Sequence, residues 1–327
     1  MYHSTRLKVV TVNFYIFFLL LIILPSAKWQ ADDQNDSPQK KPIIVDFNDV
    51  VSKEDTPEEV TRPPLKVAVA AMISPKFTYK YYIDLLNLIG RQMGREIVFI
   101  QKKTYSEVNE MIKNRALDFA FVCSGPYVSG SRSFGLELLV VPVCNGKKVY
   151  YSYFIAARDS GIESMEDLRK KVFAFTDPMS NTGCQVPTYY LAKKNETPES
   201  FFSKTFFTHS HDNSIRAVAS GLADGAAVDS LIYEFIKIKN PDMTSNVKVI
   251  EKSPPYGIPP VVIHPMMDRE TREKLRNLFL TIHKTPEGKK CLENLHIDRF
   301  EKGDDRDYDS VKELQNFLNK SFRSEAE

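Results

Sequence analysis

Short apolar runs alternate with helical stretches from Leu65 almost to the C-terminus of the chain. Runs such as Leu65–Ala71 and Asp118–Cys123 are short and apolar, which predicts buried strands. Between them, Thr78–Met93 has apolar residues at 82, 85, 86, 89 and 93, the stripe of one helix face. This alternation predicts an α/β protein with parallel-dominated sheets. One sheet holding every predicted strand would be very wide, so we expect two sheets in two lobes.

The chain has 327 residues, which is enough for two such lobes. It is predicted to cross between them near residues 155 and 258. Lobe 1 then comprises residues 65–155 and 259–327, and lobe 2 comprises residues 156–258. Residues 28–64 are rich in charged residues and proline, a composition typical of a flexible linker.

An apolar run, Val9–Ala27, follows a basic N-terminus. This order, with small residues at the end, is the layout of a signal peptide. The apolar core, residues 9–24, has about 16 residues, which is long for a signal peptide and short for a spanning helix. Residues 1–27 are therefore expected to be either a cleaved signal peptide or an anchor in the inner membrane. In both cases the body is periplasmic or otherwise extracytoplasmic.

The composition argues against several functions. The net charge is only +2, and no nucleic-acid-binding signature occurs, so no nucleic acid is expected as a partner. No Cys-x-x-Cys pair occurs, so we expect no zinc site, and no cofactor is predicted.

Two of the four cysteines, Cys123 and Cys144, each end a strand-like run. If those strands lie side by side, a disulfide could join them, and an exported location permits it. Such a bridge would stabilise the fold by about 3 kcal/mol. Two buried free thiols are the alternative, and the sequence leaves both open.

Small polar residues crowd one predicted strand-to-helix junction, in the stretch DPMSNTGCQVPTYYL. Ligands of open α/β sheets bind outside the carboxyl ends of the strands, and a helix N-terminus favours an anion. Ser180, Asn181 and Thr182 would add side-chain donors, and Gly183 would let the backbone approach closely. The alternative is a simple helix cap, because Thr182 and Gln185 have the spacing of a capping box.

A second junction of this kind carries His211, in the stretch THSHDNS. Two parallel strand-to-helix junctions should converge on one cleft, where a histidine suits an anionic ligand. A metal site at His209 and His211 is one alternative, although further ligands at a recognisable spacing are missing. A nucleophile pair of Cys184 and His211 is another.

Taken in order, several segments make the chain resemble the phosphonate, phosphite and phosphate substrate-binding proteins of ABC importers. They include TYSEVNEMIKNRALDFAFV, DPMSNTGCQVPTYYL, SHDNSIRAVASGLADGAAVDS and PYGIPPVVIHPMM, and the resemblance covers about Leu65 to Leu318. It implies the two-lobed type II-like fold of periplasmic binding proteins, with a ligand cleft between the lobes. It also implies an exported binding protein, not an enzyme, that serves an ABC permease or a membrane sensor.

The resemblance assigns the oxyanion to the serine/threonine cluster and to the histidine that follows it. In this chain those residues are Ser180, Asn181, Thr182 and His211. The tyrosines of the cleft wall correspond to Tyr105, Tyr127 and Tyr150.

Two departures from the family pattern concern the ligand. Aminoalkylphosphonate-binding members place acids near the positions of Leu231 and Pro259, which are uncharged here. Asp229 is close enough in sequence to substitute, but it could equally cap the following helix. The departure favours phosphate, phosphite or a simple phosphonate. Cys123 replaces a residue that is usually smaller, which alters the wall of lobe 1.

Two other functions are compatible with the same fold. A membrane-anchored sensory module would use the N-terminal apolar run as its tether. An enzyme or binder of thiamine-pyrimidine precursors would need a cysteine-rich motif that this sequence lacks.

Overall fold

A computed structural model describes residues 62–324 of the chain. The predicted signal peptide or anchor at residues 1–27, and nearly all of the predicted linker at 28–64, lie outside the described residues. Within the described range, no helix is both long and apolar enough to cross a membrane.

The strands and helices follow each other in the alternating order that the sequence predicts. The strands are β1 (Leu65–Val69), β2 (Ile97–Ile100), β3 (Phe119–Phe121), β4 (Glu137–Val143), β5 (Val149–Tyr150), β6 (Ser152–Ala157), β7 (Val172–Phe175), β8 (Lys204–Phe207), β9 (Gly225–Asp229), β10 (Val247–Lys252), β11 (Tyr256–Gly257), β12 (Val261–Ile263) and β13 (Arg299–Glu301). The α-helices are α1 (Pro75–Met93), α2 (Tyr105–Lys113), α3 (Ser124–Phe134), α4 (Val186–Ala192), α5 (Pro198–Phe201), α6 (His211–Ala219), α7 (Ser230–Lys239), α8 (Pro241–Ser245), α9 (Arg269–Thr281), α10 (Pro286–Asn294) and α11 (Asp309–Ser324). Three 3₁₀ helices (Glu166–Leu168, Ile282–Lys284 and Asp305–Tyr308) and a π-helical turn (Asn181–Gln185) complete the described elements.

Two separate sheets form the two lobes. The first has the order β13-β4-β12-β3-β1-β2, and the second has the order β10-β6-β9-β7-β8. This confirms the predicted two-lobed α/β fold. The sheets are mixed rather than parallel-dominated, because β12 lies antiparallel between β3 and β4, and β6 lies antiparallel between β9 and β10. These are the strands with which the chain re-enters lobe 1 and enters lobe 2.

A two-stranded ribbon of β5 and β11 connects the lobes. The predicted first crossing near residue 155 is placed too late, because Ser152 and Ile155 already pair with β9 of the second sheet. The error arises because Val149–Ala157 looks like one continuous strand in the sequence. In the structure it divides into β5 in the ribbon and β6 in lobe 2. The second crossing, predicted near residue 258, falls next to β11.

The predicted disulfide is wrong, since Cys123 and Cys144 are both free thiols. The strands that precede them, β3 and β4, are not neighbours, because β12 lies between them. Two strand spacings amount to about 9.6 Å, beyond the roughly 7 Å that a disulfide can span between Cα atoms. The Cys123 sulfur instead lies 3.7 Å from the Tyr150 hydroxyl, while Cys144 packs in a small apolar cluster with Ile258.

Aromatic side chains fill the core on each sheet. In lobe 1, Phe119 and Phe279 pack edge to face with their ring centres 5.7 Å apart. In lobe 2, Phe173 stacks on Phe202 at 4.3 Å. Such pairs stabilise a core beyond the area they bury. Each lobe therefore has its own aromatic packing and can hold one side of a cleft in place.

The lobes are closed on each other. Hydrogen bonds that cross between them run from His211 N to Met72 O (2.9 Å), from Ser74 N to Asp212 Oδ1 (2.8 Å) and from Tyr105 N to Asp177 Oδ2 (3.1 Å). Two of the acceptors are carboxylates of lobe 2 that bind N–H groups at the starts of α1 and α2. The first N–H groups of a helix have no partner within it, so these contacts satisfy them. Closure therefore links charged groups of one lobe to helix ends of the other.

Candidate functional site

The junction between β7 and α4 forms an unusually wide first turn. Residues Asn181–Gln185 are π-helical, and Ser180 is the N-cap, whose Oγ accepts from Gly183 N at 3.0 Å. The predicted capping box at Thr182 is therefore wrong, because the helix begins two residues earlier than a cap at Thr182 implies. Ser180 performs the capping, and the Thr182 hydroxyl has no hydrogen-bond partner among residues 62–324. Single π-helical turns are frequent at functional sites.

Gly183 brings this turn against the second junction. A Cβ at this position would lie 2.4 Å from Thr176 Oγ1 and 2.9 Å from His211 Cε1. No real side chain could fit there without moving buried neighbours. Glycine at this position therefore places the turn directly beside the histidine.

His211 is fully buried at the start of α6. Its Nδ1 accepts from the Asp229 backbone N–H at 3.1 Å, and Thr176 Oγ1 lies 3.1 Å from the same nitrogen. A backbone N–H can only donate, so Nδ1 must be the unprotonated nitrogen and the proton resides on Nε2. Burial lowers the pKa of His211 to about 3. The imidazole is therefore a neutral donor, and its Nε2–H has no partner in the part of the chain that the structure describes.

Several buried polar atoms around these junctions have no hydrogen-bond partner among residues 62–324. Beside His209 Nδ1, Ser210 Oγ and Asp212 Oδ2 near the start of α6, they include Tyr105 Oη, Asn181 Oδ1, Thr182 Oγ1 and His211 Nε2. Tyr105 reaches the site from lobe 1, where its N–H binds the carboxylate of Asp177. Burial also raises its pKa well above the usual value, so its hydroxyl stays protonated. Unpaired buried polar groups cost about 1–3 kcal/mol each, so such a group calls for a ligand as partner.

Tyr150 and Ser152 stabilise the π-helical turn through hydrogen bonds. The Asn181 amide nitrogen donates to the Tyr150 hydroxyl at 3.1 Å, and the Ser152 hydroxyl donates to the Thr182 carbonyl at 2.7 Å. The two ends of an asparagine amide exchange on a 180° rotation. Tyr150 can therefore donate to Asn181 Oδ1 while the amide N–H₂ turns towards an anion. In this structure Tyr150 orients a site residue rather than contributing a free donor itself.

Lobe 1 adds a helix N-terminus that the sequence analysis did not predict. Helix α3 begins at Ser124, and a Cβ on Gly125 would lie 2.2 Å from Met179 O and 3.2 Å from Asn181 N. The starts of two helices, one from each lobe, therefore meet at the site. Their dipoles both favour negative charge there. The signal that could have revealed α3 is the run of small residues after β3, which repeats the pattern of the other junction.

Two predicted site residues have other contacts. The Tyr127 hydroxyl donates to Asp305 Oδ1 at 2.7 Å, and its ring packs on Tyr308, so the structure does not bring it to the cluster. Asp229 caps α7 by accepting from Leu231 N at 2.7 Å. Burial raises the pKa of its carboxyl to about 7. Its backbone, rather than its carboxyl, is what contacts His211.

Several supporting residues were missed by sequence reasoning. They are Met72, Thr176, Asp177, Ser152 and Asp212. Most of them lie within a few residues of a predicted site residue. Their hydrogen-bond partners come from distant segments of the chain, so the sequence did not reveal their roles. As for metals, residues 62–324 contain no group of three or more His, Cys, Asp or Glu side chains that could hold an ion.

Two lobes that close over a buried set of donors define a two-lobed ligand-binding protein. The chain belongs to the family of periplasmic phosphonate substrate-binding proteins of ABC transporters, whose sequence profile matches residues 67–308. The resemblance inferred from the sequence is thereby confirmed. Members of this family are substrate-binding proteins of transporters, which places the chain outside the cytoplasm.

Its relatives differ in the ligand that their names state. The chain is 31% identical over 190 residues to the phosphonates-binding periplasmic protein of Escherichia coli, covering 57% of this chain and 56% of that protein. It is 26% identical over 212 residues to the phosphate-import protein PhnD of Mycolicibacterium smegmatis, covering 61% of this chain and 65% of that protein. The chain thus spans less than two thirds of the length of either relative. Among solved structures, a binding-protein component of a phosphonate ABC transporter from Pseudomonas aeruginosa matches with a TM-score of 0.75 and 26% identity, over 79% of this chain and 87% of that one.

Proposed function

We propose that the protein captures a small phosphorus oxyanion, namely phosphate, phosphite or a simple phosphonate, for an ABC importer. The observation that carries this proposal is the set of buried donors without partners, contributed by both lobes, at the meeting point of two helix N-termini. A tetrahedral oxyanion has oxygens that point in several directions and can accept from all of these donors at once. An amino acid or a sugar would not use such a set as fully.

Three hydroxyl or ring donors would contact the oxyanion directly. They are Thr182 Oγ1, Tyr105 Oη and His211 Nε2. Hydrogen bonds to a charged group contribute about 1.5–3 kcal/mol each, so three of them account for a tight complex. All three are neutral. The negative charge would be balanced by the N–H groups and dipoles at the starts of α3 and of the turn at Asn181.

A binding role without catalysis agrees with the chemistry of the site. Burial raises the pKa of the Cys184 thiol to about 12, so it is not a thiolate at neutral pH. His211 is a neutral donor with its Nδ1 already occupied, so it is poorly placed to act as a base for that thiol. The pair of Cys184 and His211 considered from the sequence therefore has neither a thiolate nucleophile nor a well-placed base.

Capture and delivery would use the two lobes as a clamp. The closed form joins α1 and α2 of lobe 1 to Asp212 and Asp177 of lobe 2. A bound anion would add bonds to both lobes and would favour this closed form over an open one. A permease that binds the closed form would then receive only loaded protein.

A membrane-anchored sensory role is the second candidate, favoured by the apolar run at residues 9–24. An uncleaved anchor followed by a linker would keep the binding body at the membrane. Mass spectrometry of the mature N-terminus separates the two arrangements. A mature chain that begins after residue 27 indicates a cleaved signal peptide, and an intact Met1 indicates an anchor.

Titration calorimetry of the purified protein tests the proposed ligand class. The panel should contain phosphate, phosphite, methylphosphonate, sulfate and a thiamine-pyrimidine precursor. We expect at least one phosphorus oxyanion to bind, and at 100 times its dissociation constant it should stabilise the protein by about 2.7 kcal/mol. Binding of the pyrimidine alone, with none of the phosphorus compounds, would overturn the proposal.

A further inference from the structure

The last described helix, α11, lies on the side of the cleft where the chain crosses between the lobes. It packs on α3 in lobe 1, on strand β11 of the connecting ribbon and on α4 in lobe 2. Its contact with lobe 2 includes the edge-to-face pair of Phe317 and Tyr189, whose ring centres lie 5.1 Å apart. Helix α11 therefore contacts elements of both lobes.

One side chain of this helix joins the two helix starts of the oxyanion site. Gln315 is only 8% exposed, and its Nε2 donates to the Gly125 carbonyl at 3.1 Å and to Gln185 Oε1 at 3.2 Å. Gly125 lies in the first turn of α3, and Gln185 ends the π-helical turn. The Gly125 carbonyl can only accept, which fixes the orientation of the Gln315 amide. A single amide group thus links the lobe 1 half and the lobe 2 half of the site.

The two halves need such a link because their helix starts repel each other. Each start carries the positive end of a helix dipole, and the two starts meet at one place. A bound anion compensates this repulsion, but before it binds only contacts within the protein can oppose it. The direct contact of the two starts is close, since a Cβ on Gly125 would lie 3.2 Å from Asn181 N and from Gln185 Oε1.

Gln315 opposes the repulsion without taking the place of the anion. Helix carbonyls point away from the N-terminus, whereas the first N–H groups point outward from it. A partner of the Gly125 carbonyl therefore lies on the side of α3 opposite to its free N–H groups. Being uncharged, the amide also leaves the positive potential of the two helix starts available to a ligand.

We propose that Gln315 is a positioning residue for anion binding, whose amide holds the start of α3 and the π-helical turn at the separation at which one oxyanion can accept from both. This inference rests on the proposed function, because the oxyanion must bind where the two helix starts meet. It gives α11 a role in ligand affinity, although that helix supplies none of the expected ligand contacts.

Removal of the amide tests this by titration calorimetry on the full-length protein, with whichever phosphorus oxyanion binds the wild type. Gln315→Leu keeps most of the side-chain volume and removes both donors. Affinity should fall at least about tenfold, the equivalent of one or two neutral hydrogen bonds. Asn319→Leu is the matched control, because Asn319 is an exposed amide on the same helix. Its affinity should stay within about twofold of wild type.

A pH profile of Gln315→Glu separates positioning from a general loss of packing. A protonated carboxylic acid can donate to the Gly125 carbonyl, whereas a carboxylate can only accept. A carboxyl group buried beside carbonyl oxygens also keeps its proton to a higher pH than a free one. Relative to wild type at the same pH, Gln315→Glu should bind at least about tenfold more weakly at about pH 8 and within about threefold at about pH 5. For Gln315→Leu the same ratio should not change with pH.

The outcomes separate this inference from the proposed function. The inference is overturned, and the proposed function stands, if the wild type binds a phosphorus oxyanion and Gln315→Leu binds it within about twofold as well. It is equally overturned if Asn319→Leu loses as much affinity as Gln315→Leu, or if the ratio for Gln315→Glu is the same at both pH values. The pH comparison is made within one variant, so it decides the question even if Gln315→Leu does not fold. If the wild type binds no phosphorus oxyanion, both proposals are overturned.

Discussion

Two neighbouring hydroxyls, those of Ser180 and Thr182, should have separable roles. Both are fully buried in the same turn, and a sequence treats them as equal donors. In the structure, Ser180 Oγ accepts from the Gly183 N–H, whereas Thr182 Oγ1 has no hydrogen-bond partner among the described residues. Ser180→Ala should therefore weaken the fold, and Thr182→Val should weaken ligand binding.

The expected magnitudes follow from these contacts. Thr182→Val removes a donor to a charged ligand, worth about 1.5–3 kcal/mol, so affinity should fall roughly 10- to 150-fold. Without ligand, its free energy of unfolding should be unchanged or slightly higher, because an unpaired buried hydroxyl has gone. Ser180→Ala removes a helix cap and should lower the free energy of unfolding by about 1 kcal/mol. Its affinity should change by less than about fivefold, or half of the smallest loss expected for Thr182→Val.

The assay combines calorimetry, with whichever phosphorus oxyanion binds the wild type, and urea unfolding without ligand. The two variants serve as controls for each other, since both remove one hydroxyl from one turn. The opposite pattern, in which Ser180→Ala abolishes binding and Thr182→Val leaves it intact, would show that the assignment of cap and donor is reversed.

Three further predictions follow from other contacts of the site. The pKa of Asp229 is about 7 in the folded protein and 3.8 ordinarily, so its contribution to stability is lost as pH rises from about 4 to 7. The pKa of His211 is about 3 in the folded protein and 6.5 ordinarily, so its contribution is lost as pH falls from 6.5 to 3. The two pH dependences oppose each other, and Asp229→Asn removes the first of them. Measured by urea unfolding, the free energy of unfolding of Asp229→Asn should fall relative to wild type by about 1.4 kcal/mol per pH unit as pH decreases from 6.5 to 4.5. Parallel plots of the free energy of unfolding against pH for the two proteins would contradict the assignment. Asp212→Ala removes the acceptor for Ser74 N and should weaken ligand binding, although Asp212 is not expected to contact the ligand. At subsaturating ligand, small-angle scattering should give the variant a larger radius of gyration than wild type. An unchanged affinity would mean that this contact does not hold the lobes closed. Tyr127→Phe should leave ligand affinity within about twofold of wild type by calorimetry, since its hydroxyl is already bonded elsewhere, and a loss of more than tenfold would return it to the site.

Local patterns predicted most of the elements and the centre of the site. The strand-to-helix junctions, Gly183 and His211 are all visible in the sequence, because each depends on residues within one short segment. The roles of Ser180 and Thr182 were not visible, since a shift of two residues in the helix start decides which hydroxyl caps it. Tyr127 and Tyr105 likewise look alike in sequence, but they lie on helices whose faces point to different neighbours.

Long-range order was the part that the sequence could not supply. The disulfide between Cys123 and Cys144 seemed reasonable because their strands are close in the chain. The strand β12, which lies between them in the sheet, is more than 100 residues further along the chain, and no local sequence pattern predicts its position. The same holds for the interlobe contacts of Asp177 and Asp212. Their partners become apparent only once the lobes are closed.

A crystal structure with methylphosphonate or phosphate bound tests the central claim most directly. The account predicts that the ligand oxygens lie within about 3.2 Å of Thr182 Oγ1, His211 Nε2 and Tyr105 Oη, with α3 and the turn at Asn181 pointing their first N–H groups at the phosphorus centre. A structure with the oxyanion bound elsewhere, while these three atoms contact only water at saturating ligand, would contradict it.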